Sequence, residues 1–544
     1  MSEPLNRRTF LKRTGGSLLA ATLVGQIAAA SDRPDRRPNV LLILCDDMGF
    51  SDLGCFGSEI QTPNLDRLAA GGLRMTQFYN AARCCPTRAS LLTGLYQHQA
   101  GVGSMVGNQG TPEYQGFLND RCVTIAEVLQ PAGYRTYMSG KWHVGDDKGH
   151  WPRDRGFERY FGLINGASNF YNNIYYRDPS KRQTILLDDE PFDVPATSEE
   201  MWRRNEGFYM TDAFTDYAIE FLDGHEGSEK PFFLYLAYNA PHWPLHAFPE
   251  DIDEYRGRYA VGWDRLREQR YSRQRKLGII DAAVKLSPRN PEVPAWEDAS
   301  DEVKAEFELE MAIYAAMIDR MDRNIGRVVE KLRTMGQLDD TLIMFLSDNG
   351  GCHTTPSFEH LQGTPGGPNS FPCYGFMGAN VSNAPFRMHK QYIHEGGIAT
   401  PFIAHYPRMV RPGRIDNQPG HIIDVMPTLL DLCGAAYPDT RNGEPTKPLM
   451  GISLRPAFEG GKLRREDPLY WEHVGNRGVR IGDWKLVAKK PDLEWELYNM
   501  TEDRAELNDL SERYAEKKRQ LIQTYETWAE ENRVKPWPRK KNKK

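Results

Sequence analysis

The sequence predicts an α/β fold: a large, mixed but mostly parallel sheet flanked by helices, then a smaller α+β unit built on a four-stranded antiparallel sheet. Three observations carry this. The apolar runs Val40–Leu44, Tyr134–Met138, Phe232–Leu236 and Leu342–Leu346 are continuous rather than alternating, as expected of parallel strands covered on both faces. From Val303 to Met335, apolar residues at Met311, Tyr314, Ala315, Ile318, Ile325, Val328, Val329 and Leu332 keep a helical period, and Gly336 is its stop. After residue 465 the apolar runs become short and closely spaced, the pattern of hairpins.

Taken in order, the chain opens on an address. Asn6-Arg7-Arg8-Thr9-Phe10-Leu11-Lys12 precedes an apolar, small-residue stretch from Gly15 to Ala30 that closes on Ala28-Ala29-Ala30. A charged start, a short apolar run and an A-x-A site make an export signal. The arginine pair followed by Phe-Leu-Lys resembles the twin-arginine type, so residues 1–30 imply the twin-arginine export machinery as a partner. The run falls short of the roughly 18 apolar residues that span a bilayer. The expectation is a bacterial exported protein, periplasmic or secreted, starting near Ser31, with no stable membrane insertion. Composition agrees with a soluble globular chain: 40% hydrophobic and 26% charged over 544 residues, with 68 Lys+Arg against 74 Asp+Glu. That balance leaves no basic footprint for nucleic acid. Eight cysteines without a C-x-x-C indicate neither a disulfide framework nor a zinc site.

The residues just past each apolar run matter more than the run itself. Val40–Leu44 leads to Asp46 and Asp47, Tyr134–Met138 to Lys141, Trp142 and His143, Phe232–Leu236 to His242, and Leu342–Leu346 to Asp348 and Asn349. In an open α/β sheet, ligands bind beyond the carboxyl ends of the strands. Each residue alone also suits a helix cap or a solvated loop; four strands delivering acids, a lysine and histidines to one edge point to a site. The large unit is placed at 31–465. In the smaller one, at 466–534, Leu469–Trp471, Val479–Ile481, Lys485–Val487 and Glu494–Tyr498 are strands, Gly482-Asp483 a turn, and Glu512–Asn532 a closing helix. Residues 535–544 are basic and expected to be a disordered tail.

Cys84-Cys85-Pro86-Thr87-Arg88-Ala89-Ser90-Leu91-Leu92-Thr93-Gly94 resembles the type I sulfatase signature, C-x-P-x-R followed by three residues and L-T-G. Gly133-Tyr134-Arg135-Thr136 to Gly140-Lys141-Trp142-His143, Ala240-Pro241-His242-Trp243-Pro244, Ser347-Asp348-Asn349-Gly350, Asn383-Ala384-Pro385-Phe386-Arg387, Lys390 and Glu395-Gly396-Gly397 come in that family's order. The resemblance covers about residues 38–404. Gly475-Asn476-Arg477 through Lys485 also looks like the bacterial arylsulfatase branch of this alkaline phosphatase-like superfamily. Leu95, where Arg or Lys often succeeds L-T-G, and Ala399-Thr400-Pro401, in place of R-x-P, depart from the pattern.

The resemblance implies a sulfuric ester hydrolase acting on aryl sulfates or sulfated carbohydrates. Cys84 would be converted to formylglycine (3-oxoalanine) by a maturation enzyme, and the hydrated aldehyde would attack sulfur with one hydroxyl and expel sulfate with the other. Asp46, Asp47, Asp348 and Asn349 are oxygen donors suited to a hard cation, Ca²⁺ before Mg²⁺, with the modified Cys84 counted beside them. By the same resemblance, Arg88 and Lys141 hold the formylglycine, His143 is a base for the second hydroxyl, and His242 and Lys390 bind sulfate and protonate the leaving alcohol. His98, His353 and His473 are expected to be structural or solvated. Asn165–Tyr176, aromatic and amide-rich, suits a sugar cleft or a packed loop equally. Two rivals stand beside this reading: a phosphate or phosphonate ester hydrolase of the same superfamily, and an inactive sulfated-glycan-binding protein.

Overall fold

The computed structural model describes residues 37–537; the expected export signal at 1–30 and residues 538–544 lie outside them. Among the described residues one sheet is built from β1 (Asn39–Cys45), β2 (Leu73–Tyr79), β3 (Arg135–Gly140), β4 (Arg159–Leu163), β5 (Ile185–Leu187), β6 (Glu190–Pro191), β7 (Phe232–Ala237), β8 (Thr341–Ser347), β9 (Ala399–His405), β10 (Arg414–Asp416) and β11 (Gly420–His421). Their order is β10-β2-β9-β8-β1-β7-β3-β4-β5-β6, with β11 also on β2. The four expected strands are neighbours, β8-β1-β7-β3, and run parallel with β4. β9 and β5 pair antiparallel at either side, making the sheet mixed.

The continuous apolar runs have a direct cause. Leu41, Ile43, Leu234, Leu236, Ile343 and Phe345 point into one hydrophobic cluster, while Val40, Leu42, Leu44, Phe233, Tyr235, Leu342 and Met344 point into a second. Alternate side chains leave opposite faces of a strand, so both faces must be apolar when both are covered. The long helix, Asp301–Thr334, covers the first cluster. Its start is capped by Ser300, whose Oγ accepts the Val303 N–H, and Asp301 and Glu302 in the first turn and Lys331 and Arg333 in the last match its dipole.

A two-residue ladder joins β12 (Thr440–Arg441) and β13 (Glu444–Pro445). Then β14 (Leu469–His473), β15 (Asn476–Ile481), β16 (Trp484–Ala488) and β17 (Trp495–Asn499) form the expected antiparallel meander, closed by the Ala515–Glu531 helix. Gly482 carries φ 56° in the β15–β16 turn, a conformation favouring glycine. Leu469, Trp471, Val479, Leu486 and Leu497 join the same cluster as Leu41, so the residues from Asn39 onward form one compact unit. The junction is also ionic: Lys485, fully buried, reaches Glu395 at 2.9 Å and Glu506 at 2.8 Å, and Arg504 meets Glu395 at 2.9 Å. The segment expected to be a disordered tail begins bound rather than free. Lys535 donates its N–H to Tyr114 Oη at 3.0 Å and its Nζ to the Gln109 carbonyl at 2.7 Å.

Candidate active site

Register brings the acids together. Cys45 on β1 pairs with Ser347 on β8, so the next residues, Asp46 and Asp348, leave the sheet side by side. On the other side of β1, Leu44 pairs with Ala237 of β7, which pairs with Gly140 of β3; Lys141 then donates its N–H to the Ala237 carbonyl at 2.7 Å. Asp47 turns back with φ 68°, a left-handed conformation that Asp tolerates. Its carbonyl is 3.4 Å from Tyr314 Oη, which also donates to Asp52 at 2.8 Å; Asp52 in turn meets Arg270 at 2.5 Å. Asp52, Arg270 and Tyr314 therefore hold the Asp47 turn from behind, a support with no local motif.

Cys84 is the first residue of a ten-residue helix, Cys84–Thr93, every residue of which is buried. Thr87 pins this helix to the strand ends, donating Oγ to the Asp348 carbonyl at 2.6 Å and accepting the Ala81 N–H at 2.9 Å. Arg88, four residues after Cys84 and so on the same helix face, donates to the Lys141 carbonyl at 2.9 Å, Asp348 at 3.0 Å and Asp46 at 3.3 Å. Lys141 Nζ bonds the other side of Asp46. Burial works against the Asp46 charge, but Lys141, His242 and Arg88 outweigh it and hold its carboxyl down to about 2. The neighbouring Cys85, then Lys141 and His143, hold the Cys84 thiol well below the usual thiol range despite its burial.

The opposite wall carries Lys390, His242 and Asn349. Lys390 Nζ bonds Asp47, Asn349 Nδ2 donates to Asp47 at 2.7 Å, and His242 Nε2 lies 3.4 Å from Asp47. His242 Nδ1 is 2.6 Å from the Trp243 carbonyl, which assigns the proton to Nδ1 and leaves Nε2 facing the pocket. Burial pushes His242 down to about 4. His143, at φ 57°, sets Nε2 3.1 Å from Cys85 Sγ; burial pushes it down as well.

The donor set fits a hard cation. Asp46 Oδ1, Asp47 Oδ2 and Asn349 Oδ1, two carboxylate oxygens and an amide oxygen, are buried without a hydrogen-bond donor, a costly arrangement for buried acceptors. Burial first, and the Asp46 charge second, push Asp348 well up in spite of Arg88. A cation among these oxygens removes both penalties, and oxygen donors select Ca²⁺ or Mg²⁺ over softer ions.

All the expected site residues thus lie at one sheet edge. His98 and His473 do not: His98 is buried against Glu472 at 3.0 Å and edge-on to Trp528, and His473 is buried on β14. His353 stacks on His389 with centroids 3.7 Å apart. Asn165–Tyr176 borders the site at both ends. A Cβ on Gly166 would sit 2.4 Å from the His143 ring, so only glycine leaves that ring its place, and Tyr176 packs edge-on to Trp243 at 5.6 Å. Leu95 is fully buried, and Thr400 accepts the Ser347 N–H at 2.7 Å; both departures from the family pattern are packing positions. The Cys85–His143 contact, the packing of Gly166 against the His143 ring and the Asp52–Arg270–Tyr314 support escaped the sequence reading, because their partners come from distant segments.

Comparison with known proteins agrees with this geometry. The sulfatase family profile matches residues 38–435, and the profile of the N-sulphoglucosamine sulphohydrolase C-terminal region matches 386–531. The chain is 36% identical to an uncharacterized sulfatase of Schizosaccharomyces pombe, over 92% of this chain and 94% of that one. It is 36% identical to the arylsulfatase of Klebsiella aerogenes, over 81% of this chain and 96% of that one. Among solved structures, Ps i-CgsB in complex with k-i-k-neocarrahexaose aligns with TM-score 0.68 and 27% identity, covering 91% of this chain and 94% of that one. With its strand-end carboxylates, its buried Cys84–Arg88 helix and a family match over most of its length, the chain belongs to the sulfatase family, as a sulfuric ester hydrolase of the alkaline phosphatase-like superfamily.

Proposed function

We propose that this sulfatase acts through a formylglycine made from Cys84 and a calcium ion held by Asp46, Asp47, Asp348 and Asn349, on sulfated carbohydrates or aryl sulfates. The observation that carries the proposal is the position of Cys84, at a helix start within a pocket that gathers Arg88, Lys141, His143 and unpartnered carboxylate oxygens. The hydrated aldehyde supplies one hydroxyl for attack and a second for release, and the cation supplies Lewis acidity at the sulfate oxygens.

The chain's own residues do the rest. Arg88 and Lys141 hold the Asp46 and Asp348 carboxylates in place and set positive charge beside Cys84. His143, kept neutral by burial, is positioned to accept a proton on the Cys84 side. His242 presents Nε2 to the pocket; a bound sulfate anion favours its protonated form, which makes it a donor to the leaving oxygen. Lys390 adds charge on the same wall. The carbohydrate reading is supported by the oligosaccharide bound to Ps i-CgsB and by the Trp243–Tyr176 aromatic pair beside His242, since aromatic faces suit sugar rings.

The test is sulfate release by matured protein from nitrophenyl sulfate and from sulfated sugars, with peptide mass analysis of Cys84. Cys84→Ala should abolish release, and the wild-type peptide should carry an aldehyde at Cys84 and a free thiol at Cys85. Turnover by a protein whose Cys84 is unmodified would refute the mechanism. Export through the twin-arginine route is part of the same proposal, resting on Arg7 and Arg8. Arg7→Lys with Arg8→Lys should hold the precursor inside the cell, and unchanged export would point to the general secretory route.

A further inference from the structure

Arg83 stands directly before Cys84, in extended conformation at φ −156° and ψ 147°. Its surroundings are set by two backbone contacts: Gln391 donates its N–H to the Ala82 carbonyl at 2.8 Å, and Lys390 donates its N–H to the Gly351 carbonyl at 3.2 Å. Residues 82–84, 351–353 and 389–391 therefore meet at one corner of the pocket, where Arg83 is partly exposed.

The other cations of the pocket are matched. Arg88 has Asp348, Lys141 has Asp46, and Lys390 has Asp47. The Arg83 carbonyl accepts the Thr87 N–H at 2.9 Å, but its side chain makes no hydrogen bond or ion pair with any described residue, and Nε is buried without an acceptor. His353 at the same corner, stacked on His389, also has a buried Nδ1 without a partner. An unpaired guanidinium half out of water is costly, and its planar fork of donors matches the oxygens of a carboxylate or a sulfate. In the proposed mechanism the scissile sulfate already has Lys390, which shares this corner, and His242, so Arg83 is charge beyond what one sulfate ester uses.

We propose that Arg83 is the subsite for a second oxyanion of the substrate, a sulfate or carboxylate on the same or the adjoining sugar ring as the scissile sulfate ester. The inference rests on the sulfatase reading above and narrows its substrates to doubly anionic ones.

The experiment compares wild type, Arg83→Ala and Arg83→Lys on nitrophenyl sulfate, a neutral monosulfated sugar, a disulfated sugar and a sulfated uronic acid. Arg83→Ala should raise KM about 10- to 100-fold on whichever doubly anionic substrate the site takes, the size expected for charge-assisted hydrogen bonds. On the two singly charged substrates the change should be about twofold or less, and Arg83→Lys should recover part of the loss. The disulfated and carboxylated arms separate the two sources of the oxyanion. The wild-type preference should also weaken with salt, whereas a helix-positioning role for Arg83 would harm all four substrates alike. Equal losses on all four, or no loss on any, would overturn the inference and leave the sulfatase reading intact. Matured wild type that releases sulfate from none of them would overturn that reading itself. If Arg83→Ala does not fold, Arg83→Gln and Arg83→Lys carry the same comparison.

Discussion

Arg88 donates to Asp348 at 3.0 Å with both side chains wholly buried, across 260 residues of sequence. The contact ties the helix that starts at Cys84 to the end of β8, and the same guanidinium reaches Asp46 at the end of β1. One residue thereby keeps two facing carboxylates together that would otherwise repel.

Asp348→Asn should consequently lose bound calcium while the chain stays folded. It keeps the size of the side chain and removes a charge, and turnover should fall on the order of 10²–10³-fold, the scale seen when one preorganised electrostatic group is removed. Metal analysis beside circular dichroism checks this. A variant with wild-type calcium content and activity would remove Asp348 from the cation site.

At the junction of the two sheets, Lys485→Met should be strongly destabilising. It leaves Glu395 and Glu506 buried with one cation fewer, and breaking a buried ion pair from one side costs about 3–5 kcal/mol. Denaturant titration reads the loss directly, and an unchanged midpoint would mean water reaches those carboxylates.

His246 should contribute to acid sensitivity. It accepts the Phe170 N–H at Nδ1 and meets the Ser370 carbonyl through Nε2 at 3.0 Å, and burial lowers it from 6.5 to about 4. The unfolded chain therefore takes up this proton first. The stabilisation is complete above pH 6.5 and is lost as the pH falls toward 4. His246→Gln should show a shallower decline of melting temperature over that interval, and parallel curves would assign the acid loss to other groups.

His242 separates proton donation from sulfate binding. A sugar hydroxyl leaves poorly without a proton, whereas nitrophenolate leaves readily, and general-acid help is worth about 10²–10⁴-fold. His242→Ala should cost much more in kcat/KM on a sulfated sugar than on nitrophenyl sulfate. Equal losses on both would make it a binding residue only, and Lys390→Ala is the parallel measurement.

The chemistry of this protein was legible in its sequence where that chemistry is local. The Cys84 to Arg88 spacing is one helical turn, and the apolar runs ending in Asp46, Lys141 and Asp348 announce strand ends because both strand faces are buried. Pairing was not legible. Parallel neighbours such as β1 and β8 lie far apart in the chain, so the Cys45–Ser347 register that sets Asp46 beside Asp348 exists only in the folded sheet. The same holds for charge: a lysine or arginine reads alike in sequence whether it is paired or free. Only the tertiary structure gave Lys390 to Asp47, set Cys85 against His143, placed Gly166 under that imidazole and left Arg83 unmatched, because electrostatic partnership is decided by distance in space.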